Sequence, residues 1–123
     1  MKPLIVEPTI ETPKITLNPE ANVFEISGQS LPENALEFYL PVVSWLEQYS
    51  HHPNPVTEFN FRLEYFNTAS SRMIFKVLSV LKSISTEHKV NLKWYYHRED
   101  PDMLASGKRF ARLVTTDFEF IES

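Results

Sequence analysis

A strand-to-helix junction near the middle of the chain presents hydroxyl side chains where a phosphate would be stabilised. The stretch 59–66 alternates apolar and polar residues as a half-buried strand does, and a helical period follows it. Asn67 and Thr68 stand between the two, and both are good N-caps because their side-chain oxygens accept from free amides of a first helical turn. A helix N-terminus also favours a bound negative charge. The junction therefore predicts either simple capping or a hydroxyl that carries a phosphate.

The helix after the junction has a clear inner and outer face. Its predicted core face comprises Met73, Ile74, Val77, Leu78, Val80, Leu81 and Ile84. Thr68, Ser71, Arg72 and Phe75 follow the spacing i, i+3, i+4, i+7, so they line the outer face. A lone exposed Phe75 is either an ordinary surface residue or an anchor for a protein partner.

Other kinds of catalytic and metal chemistry find little support. The chain has two glycines and no cysteine, which excludes a Gly-rich phosphate loop, disulfides and thiolate chemistry. The adjacent His51 and His52 have no further ligand at metal-site spacing, so they are predicted to lie in a solvated turn. The charged residues 97–102 read as a solvent-facing loop, and no nucleophile–base pair is recognisable. We expect no cofactor, no metal and no enzymatic activity.

Size and composition predict one domain over residues 1–123. The 123 residues are 42% hydrophobic and 13% aromatic, enough to fill a core. The net charge of −4 and the lack of a Lys/Arg block argue against nucleic acid as a partner. No apolar run reaches membrane-spanning length and no signal peptide is visible, so we expect a cytoplasmic protein that does not bind membranes.

The remaining pattern predicts a mixed sheet with helices on one face. Prolines at 3, 8 and 13 indicate an extended arm or edge strand, and 14–17 with 23–27 form a hairpin. Residues 28–32 are expected to leave the sheet. The first helix runs from about Pro32 to Tyr49, kinked or split by Pro41, with Leu36, Tyr39, Leu40, Val43, Leu46 and Tyr49 as its apolar stripe.

Three alternating strands and two helices follow. In the strand at 59–66, Phe59, Phe61, Leu63 and Tyr65 are expected to face the core and Phe66 to face away. Strands at 90–96 and 117–121 flank a third helix from Pro101 to Leu113, which Gly107 weakens. The strands alternate apolar and polar residues instead of being apolar throughout, which predicts that every helix packs on the same face of the sheet. The open face would carry Glu25, Asn60, Arg62, Glu64, Lys93, Tyr95 and Glu119.

Three stretches carry a resemblance to a known family: 63–70 (LEYFNTAS), 92–96 (LKWYY), and 30–34 (SLPEN) before the first helix. Through them the chain, from about Ile15 onward, resembles the SiaC family of small bacterial regulatory phosphoproteins. The resemblance implies a STAS-like fold. It also implies that a cognate Ser/Thr kinase phosphorylates Thr68, that a PP2C-type phosphatase removes the phosphate, and that the unphosphorylated form activates a diguanylate cyclase. Ala69 departs from the family pattern, where serine is often found, and this leaves the Thr68 assignment intact.

The resemblance thus implies a non-enzymatic signalling switch that controls cyclic di-GMP and biofilm formation or aggregation. Its partner-binding surface is expected to comprise Tyr65, Asn67, Thr68, Ser70, Ser71, Arg72 and Phe75. A STAS anti-sigma-factor antagonist acting on a sigma-factor regulator is the alternative. A small enzyme is the third hypothesis, and it requires a deep pocket in which titratable groups converge.

Overall fold

The fold is one six-stranded mixed sheet with three helices, seen in a computed structural model that describes all residues 1–123. In chain order the elements are β1 (Leu4–Val6), β2 (Lys14–Asn18), β3 (Val23–Ser30), α1 (Ala35–Tyr49), β4 (Val56–Phe66), α2 (Thr68–Ile84), β5 (Lys89–Tyr96), α3 (Pro101–Val114) and β6 (Phe118–Glu122). The strands lie side by side in sequence order. β2 runs antiparallel to both of its neighbours, β1 and β3, and β3 to β6 are parallel.

Strand order explains why the helices share one face. Each of the crossovers through α1, α2 and α3 moves one strand further in the same direction, and right-handed crossovers of that kind return to the same side of a sheet. The buried strand residues agree, since Phe61, Leu63, Leu92 and Trp94 are at most 4% exposed. The predicted mixed sheet with helices on one face is confirmed.

Each helix begins with the same kind of side-chain N-cap. Asn34, Asn67 and Asp100 are N-caps whose side-chain oxygens accept from the amide three residues later, at 3.1, 2.8 and 3.1 Å. Pro101 follows Asp100 at the first helical position, where its missing amide costs nothing. Of the three caps only Asn67 was predicted; the first helix begins after Asn34 rather than near Pro32, and Asp100 had been assigned to a charged loop.

The first helix corrects the expected apolar stripe. Its buried residues are Ala35, Tyr39, Val42, Leu46 and Tyr49. Leu36 and Leu40, assigned to the stripe, are 56% and 53% exposed. Pro41 neither splits the helix nor enters the core, because it lies on the exposed side where the carbonyl of Glu37 can bond water instead.

An irregularity between β3 and β4 corrects two further expectations. β3 does not end at Ser27 but continues to Ser30, and Gly28 adopts φ +103 where the register shifts. Gly28 pairs with Leu63 while Gln29 pairs with Tyr65, so β4 contains one extra residue. The bulge reverses the alternation, which turns Tyr65 out to 55% exposure. Phe66 instead packs on Trp94 and Phe110, at ring-centroid distances of 6.4 and 6.0 Å.

Gly107 has a packing role that the sequence did not reveal. A Cβ at this position would lie 2.5 Å from Cδ1 of Trp94, so only glycine lets α3 rest directly on the indole. The Trp94 Nε1–H donates to the carbonyl of Met103 at 3.0 Å, which fixes the ring under the helix. The helix continues without interruption through Gly107.

The face without helices is polar and laced by cross-strand pairs. Arg62 Nε donates to Glu25 Oε1 at 2.7 Å, and its guanidinium lies 3.6 Å from the centre of the Tyr95 ring. Lys93 Nζ lies 3.9 Å from a carboxylate oxygen of Glu58. The predicted open polar face is therefore confirmed.

Candidate functional site

Thr68 is the first residue of α2 and projects from the end of the central strand β4. Its side chain is exposed, while Asn67 before it caps the helix. Helix geometry leaves the amides of Thr68 and Ala69 without intrahelical acceptors. A negative charge at this hydroxyl would therefore meet free N–H groups and the positive end of the helix dipole.

Beneath Thr68, a cluster of three buried hydroxyls joins three elements of the fold. Ser30 ends β3, Tyr39 lies in the second turn of α1, and Ser70 lies in the first turn of α2; all three have 0% exposure. The Ser30 Oγ is 2.6 Å from the Tyr39 hydroxyl and 2.8 Å from Ser70 Oγ. The Ser70 hydroxyl donates to the Ser30 carbonyl at 3.1 Å. We call Ser30, Tyr39 and Ser70 the hydroxyl cluster.

The protons in the hydroxyl cluster have one consistent order. Each hydroxyl has a single proton to donate. Ser70 gives its proton to the Ser30 carbonyl and Ser30 gives its own to Ser70, so Tyr39 donates to Ser30. Burial raises the pKa of Tyr39 to about 12. The phenol therefore stays neutral and remains a donor at physiological pH.

The outer face of α2 carries the residues predicted for it. Thr68, Arg72 and Phe75 are exposed, Phe75 at 38%, and Ser71 is half-buried with its hydroxyl donating to the Thr68 carbonyl at 3.0 Å. Tyr65, at the end of β4, is also exposed because of the bulge.

Two predicted contact residues have other positions. Ser70 is fully buried in the hydroxyl cluster, so it is not available to touch a partner, and its inclusion in the binding surface was wrong. Asn67 is half-buried, and its side-chain oxygen accepts from the Ser70 amide at 2.8 Å. Both residues hold the turn that presents Thr68.

Sequence reasoning missed an apolar extension of this surface on α1. Leu36 and Leu40 are one helical turn apart and both exposed. An open groove of about 350 Å³ lies between the first turns of α1 and α2, and its lining includes Glu33, Leu36, Ala69, Arg72 and Met73. The sequence pattern had indicated that both leucines are buried, because they fitted the apolar stripe expected for α1.

A second groove, on the helix-free face of the sheet, offers no catalytic arrangement. This groove of about 410 Å³ is lined in part by Lys14, Arg62, Glu64, Tyr95 and His97. Arg62 is already engaged by Glu25 and Tyr95. No hydroxyl hydrogen-bonds a histidine or carboxylate as an activated nucleophile requires, and the hydroxyl cluster contains only neutral groups.

Metal and membrane features are also lacking. His51 and His52 lie exposed in the turn after α1, and no group of three His, Cys, Asp or Glu side chains is placed to hold a metal ion. None of the helices combines the length and apolar character that crossing a membrane requires. Asp100, in the charged loop, serves as the cap of α3.

Comparison with known proteins identifies the family of this chain. The family model described as "SiaC family regulatory phosphoprotein" matches residues 6–123. An uncharacterized protein of Pseudomonas aeruginosa (strain UCBPP-PA14) is 28% identical over 111 residues, covering 89% of this chain and 88% of the relative.

Solved structures agree over nearly the whole chain. Apo-SiaC from Pseudomonas aeruginosa superposes with a TM-score of 0.90 at 26% identity, covering 98% of this chain and 99% of that one. The diguanylate cyclase SiaD in complex with its activator SiaC, from the same organism, gives a TM-score of 0.88 at 25% identity with the same coverage. With the family model spanning all but the first five residues, the chain belongs to the SiaC family of regulatory phosphoproteins.

Proposed function

We propose that this chain is a non-enzymatic cytoplasmic switch, acting as one domain without a cofactor, that is reversibly phosphorylated on Thr68. A cognate Ser/Thr kinase adds the phosphate and a PP2C-type phosphatase removes it. The unphosphorylated form binds and activates a diguanylate cyclase, which raises cyclic di-GMP. The observation that supports this most is an exposed threonine at the N-terminus of α2, within an exposed polar and aromatic surface, in a family whose member SiaC activates the cyclase SiaD.

Exposure favours Thr68 over its neighbours as the phosphate acceptor. Ser70 is buried and committed to the hydroxyl cluster, and the half-buried Ser71 donates its proton to the Thr68 carbonyl. Residue 69 is alanine, which has no hydroxyl. Thr68 is therefore the one hydroxyl of this turn that a kinase reaches without disturbing the fold.

The fold tolerates a phosphate at Thr68. The modification adds about −1.5 to −2 charges at pH 7. The helix dipole contributes about 0.3–1 kcal/mol in its favour. Arg72, one turn along the same face, is free of any ion pair and supplies a charge-assisted contact. Phosphorylation is thus expected to leave the domain folded.

Phosphorylation releases the cyclase because of what the phosphate would require of the cyclase surface that packs against it. A partner that packs against Thr68 and Phe75 in the unphosphorylated state would have to bury the new dianion. Burying a charge without a matching counter-charge is strongly unfavourable. The phosphate therefore excludes this partner while the shape of the domain is unchanged.

Two substitutions test the switch by calorimetry against the cyclase. Thr68→Ala should stay folded, resist the kinase and bind the cyclase as tightly as the unphosphorylated protein. Thr68→Asp should stay folded and bind at least about tenfold more weakly, a difference of about 1.4 kcal/mol. Thr86→Asp is the matched control, because Thr86 is an exposed threonine just beyond the opposite end of α2.

Melting curves and phosphosite mapping complete the test. Binding of Thr68→Asp at wild-type strength, or its loss only through unfolding, would contradict the proposed mechanism. Mass spectrometry after co-expression with candidate kinases should find the phosphate on Thr68. Recovery of a sigma-factor regulator instead of a cyclase in a pull-down would support the antagonist function.

A further inference from the structure

Two buried tyrosines on α1 make similar hydrogen bonds with different consequences. Near the end of the helix, the Tyr49 hydroxyl is 2.8 Å from Thr57 Oγ1 and accepts from the Asn54 amide at 2.9 Å, so it holds the start of β4. Near the beginning, Tyr39 bonds Ser30 and through it reaches Ser70. Only Tyr39 is connected to the turn that presents Thr68.

Building on the proposed phosphorylation of Thr68, we propose that Ser30, Tyr39 and Ser70 are positioning residues for that reaction. The hydroxyl cluster holds the first turn of α2 in the geometry that the kinase accepts. It also couples α1 to Thr68, because Tyr39 belongs to α1 and Ser70 to α2.

One residue of β3 anchors the chain on both sides of Thr68. The carbonyl of Ser30 accepts from the Asn67 amide at 3.1 Å and from the Ser70 hydroxyl at 3.1 Å. Asn67 precedes Thr68 and Ser70 follows it by two residues. The backbone of Thr68 is therefore fixed from both directions while its own hydroxyl stays free.

Such fixing matters for a transferred phosphoryl group. A reacting hydroxyl has to lie close to the phosphorus and in line with the leaving oxygen, and a displacement of about 1 Å lowers a rate by as much as 100-fold. The cluster is wholly buried, so water does not replace a lost partner without opening the core. Removing the Tyr39 hydroxyl leaves Ser30 without its donor and loosens the anchor.

The two tyrosines provide a matched experiment. Tyr39→Phe and Tyr49→Phe each delete one buried hydroxyl from the same helix. Hydrogen exchange should be about three- to tenfold faster at the Asn67, Ser70 and Ser71 amides in Tyr39→Phe, the range that one buried hydrogen bond supplies. The kcat for Thr68 phosphorylation should fall by a similar factor at unchanged KM. Tyr49→Phe should change neither quantity.

The outcomes separate this inference from the proposed function. A wild-type protein that is not phosphorylated on Thr68 overturns the proposed function, and the exchange rates still decide whether the cluster holds the turn. A wild-type protein phosphorylated on Thr68, with equal kcat in both variants, overturns the inference alone. Should Tyr39→Phe fail to fold, Ser70→Ala takes its place and is compared with Tyr49→Phe in the same way.

Discussion

The inner and outer faces of α2 differ in burial although residues of both faces are interleaved along the same helix. On the inner face Ile74, Val77 and Leu78 have 0% exposure, packed over the sheet. On the outer face Thr68, Arg72 and Phe75 contact solvent. Adjacent positions such as 74 and 75 belong to different faces. A substitution on the outer face can therefore alter the proposed recognition surface without destabilising the fold, and a substitution on the inner face can do the reverse.

The strongest test of this difference removes an inner residue. Ile74→Ala should destabilise the domain by about 2–5 kcal/mol, since it deletes fully buried methyl groups and leaves a cavity. Urea unfolding would measure the loss. The surface of the remaining folded fraction should be intact, so its intrinsic affinity for the cyclase should be unchanged at a temperature well below Tm. A loss under about 1 kcal/mol would mean that the core rearranges to fill the space.

The neighbouring outer residue should behave in the opposite way. Phe75→Ala should alter stability by no more than about 0.5 kcal/mol, as surface substitutions usually do. It should weaken cyclase binding by about 1–2 kcal/mol if Phe75 anchors the partner. Calorimetry gives the affinity and a melting curve gives the stability, with exposed Leu113 on α3 as a control Leu113→Ala. A large fall in Tm would place Phe75 in the core, contrary to its exposure.

The smallest effect is expected on the helix-free face of the sheet. Arg62→Ala removes the ion pair with Glu25 and the contact with Tyr95, but the Arg62 side chain is 45% exposed. Exposed pairs contribute about 0–1 kcal/mol and weaken with salt. A double-mutant cycle with Glu25→Ala, at low and high salt, measures the pair. A coupling of about 3 kcal/mol, as in buried pairs, would show that this face is covered in solution.

Several features of the site were predictable because they depend on nearby residues. The Asn67 cap needs only a short polar side chain whose oxygen accepts from the backbone amide three residues later. The exposure of Phe75 and the burial of Ile74 follow from the 3.6-residue period once α2 is recognised. The open charged face followed from strand alternation, which assigns Arg62 and Lys93 to the side opposite Leu63 and Trp94.

Other features were decided by contacts between distant residues. The stripe expected on α1 combined residues that are buried, such as Tyr39, with Leu36 and Leu40, which are exposed, and only the packing of α1 on the sheet separates the two sets. Tyr65 and Phe66 exchanged faces because β4 bulges where it pairs with Gly28 and Gln29 of β3. A one-residue shift of strand register turns every following side chain to the opposite face of the sheet, and no local sequence pattern indicates such a shift.

The hydroxyl cluster shows most clearly what the sequence determined and what tertiary structure added. The sequence placed a threonine and its cap at a helix start, because capping and periodicity act within one turn. It did not indicate that Ser30, 40 residues before Ser70, supplies both a carbonyl and a hydroxyl to that turn. That contact exists only because β3 and β4 are parallel neighbours that end at the same edge of the sheet. The assembled sheet therefore decided which residues hold Thr68 in place.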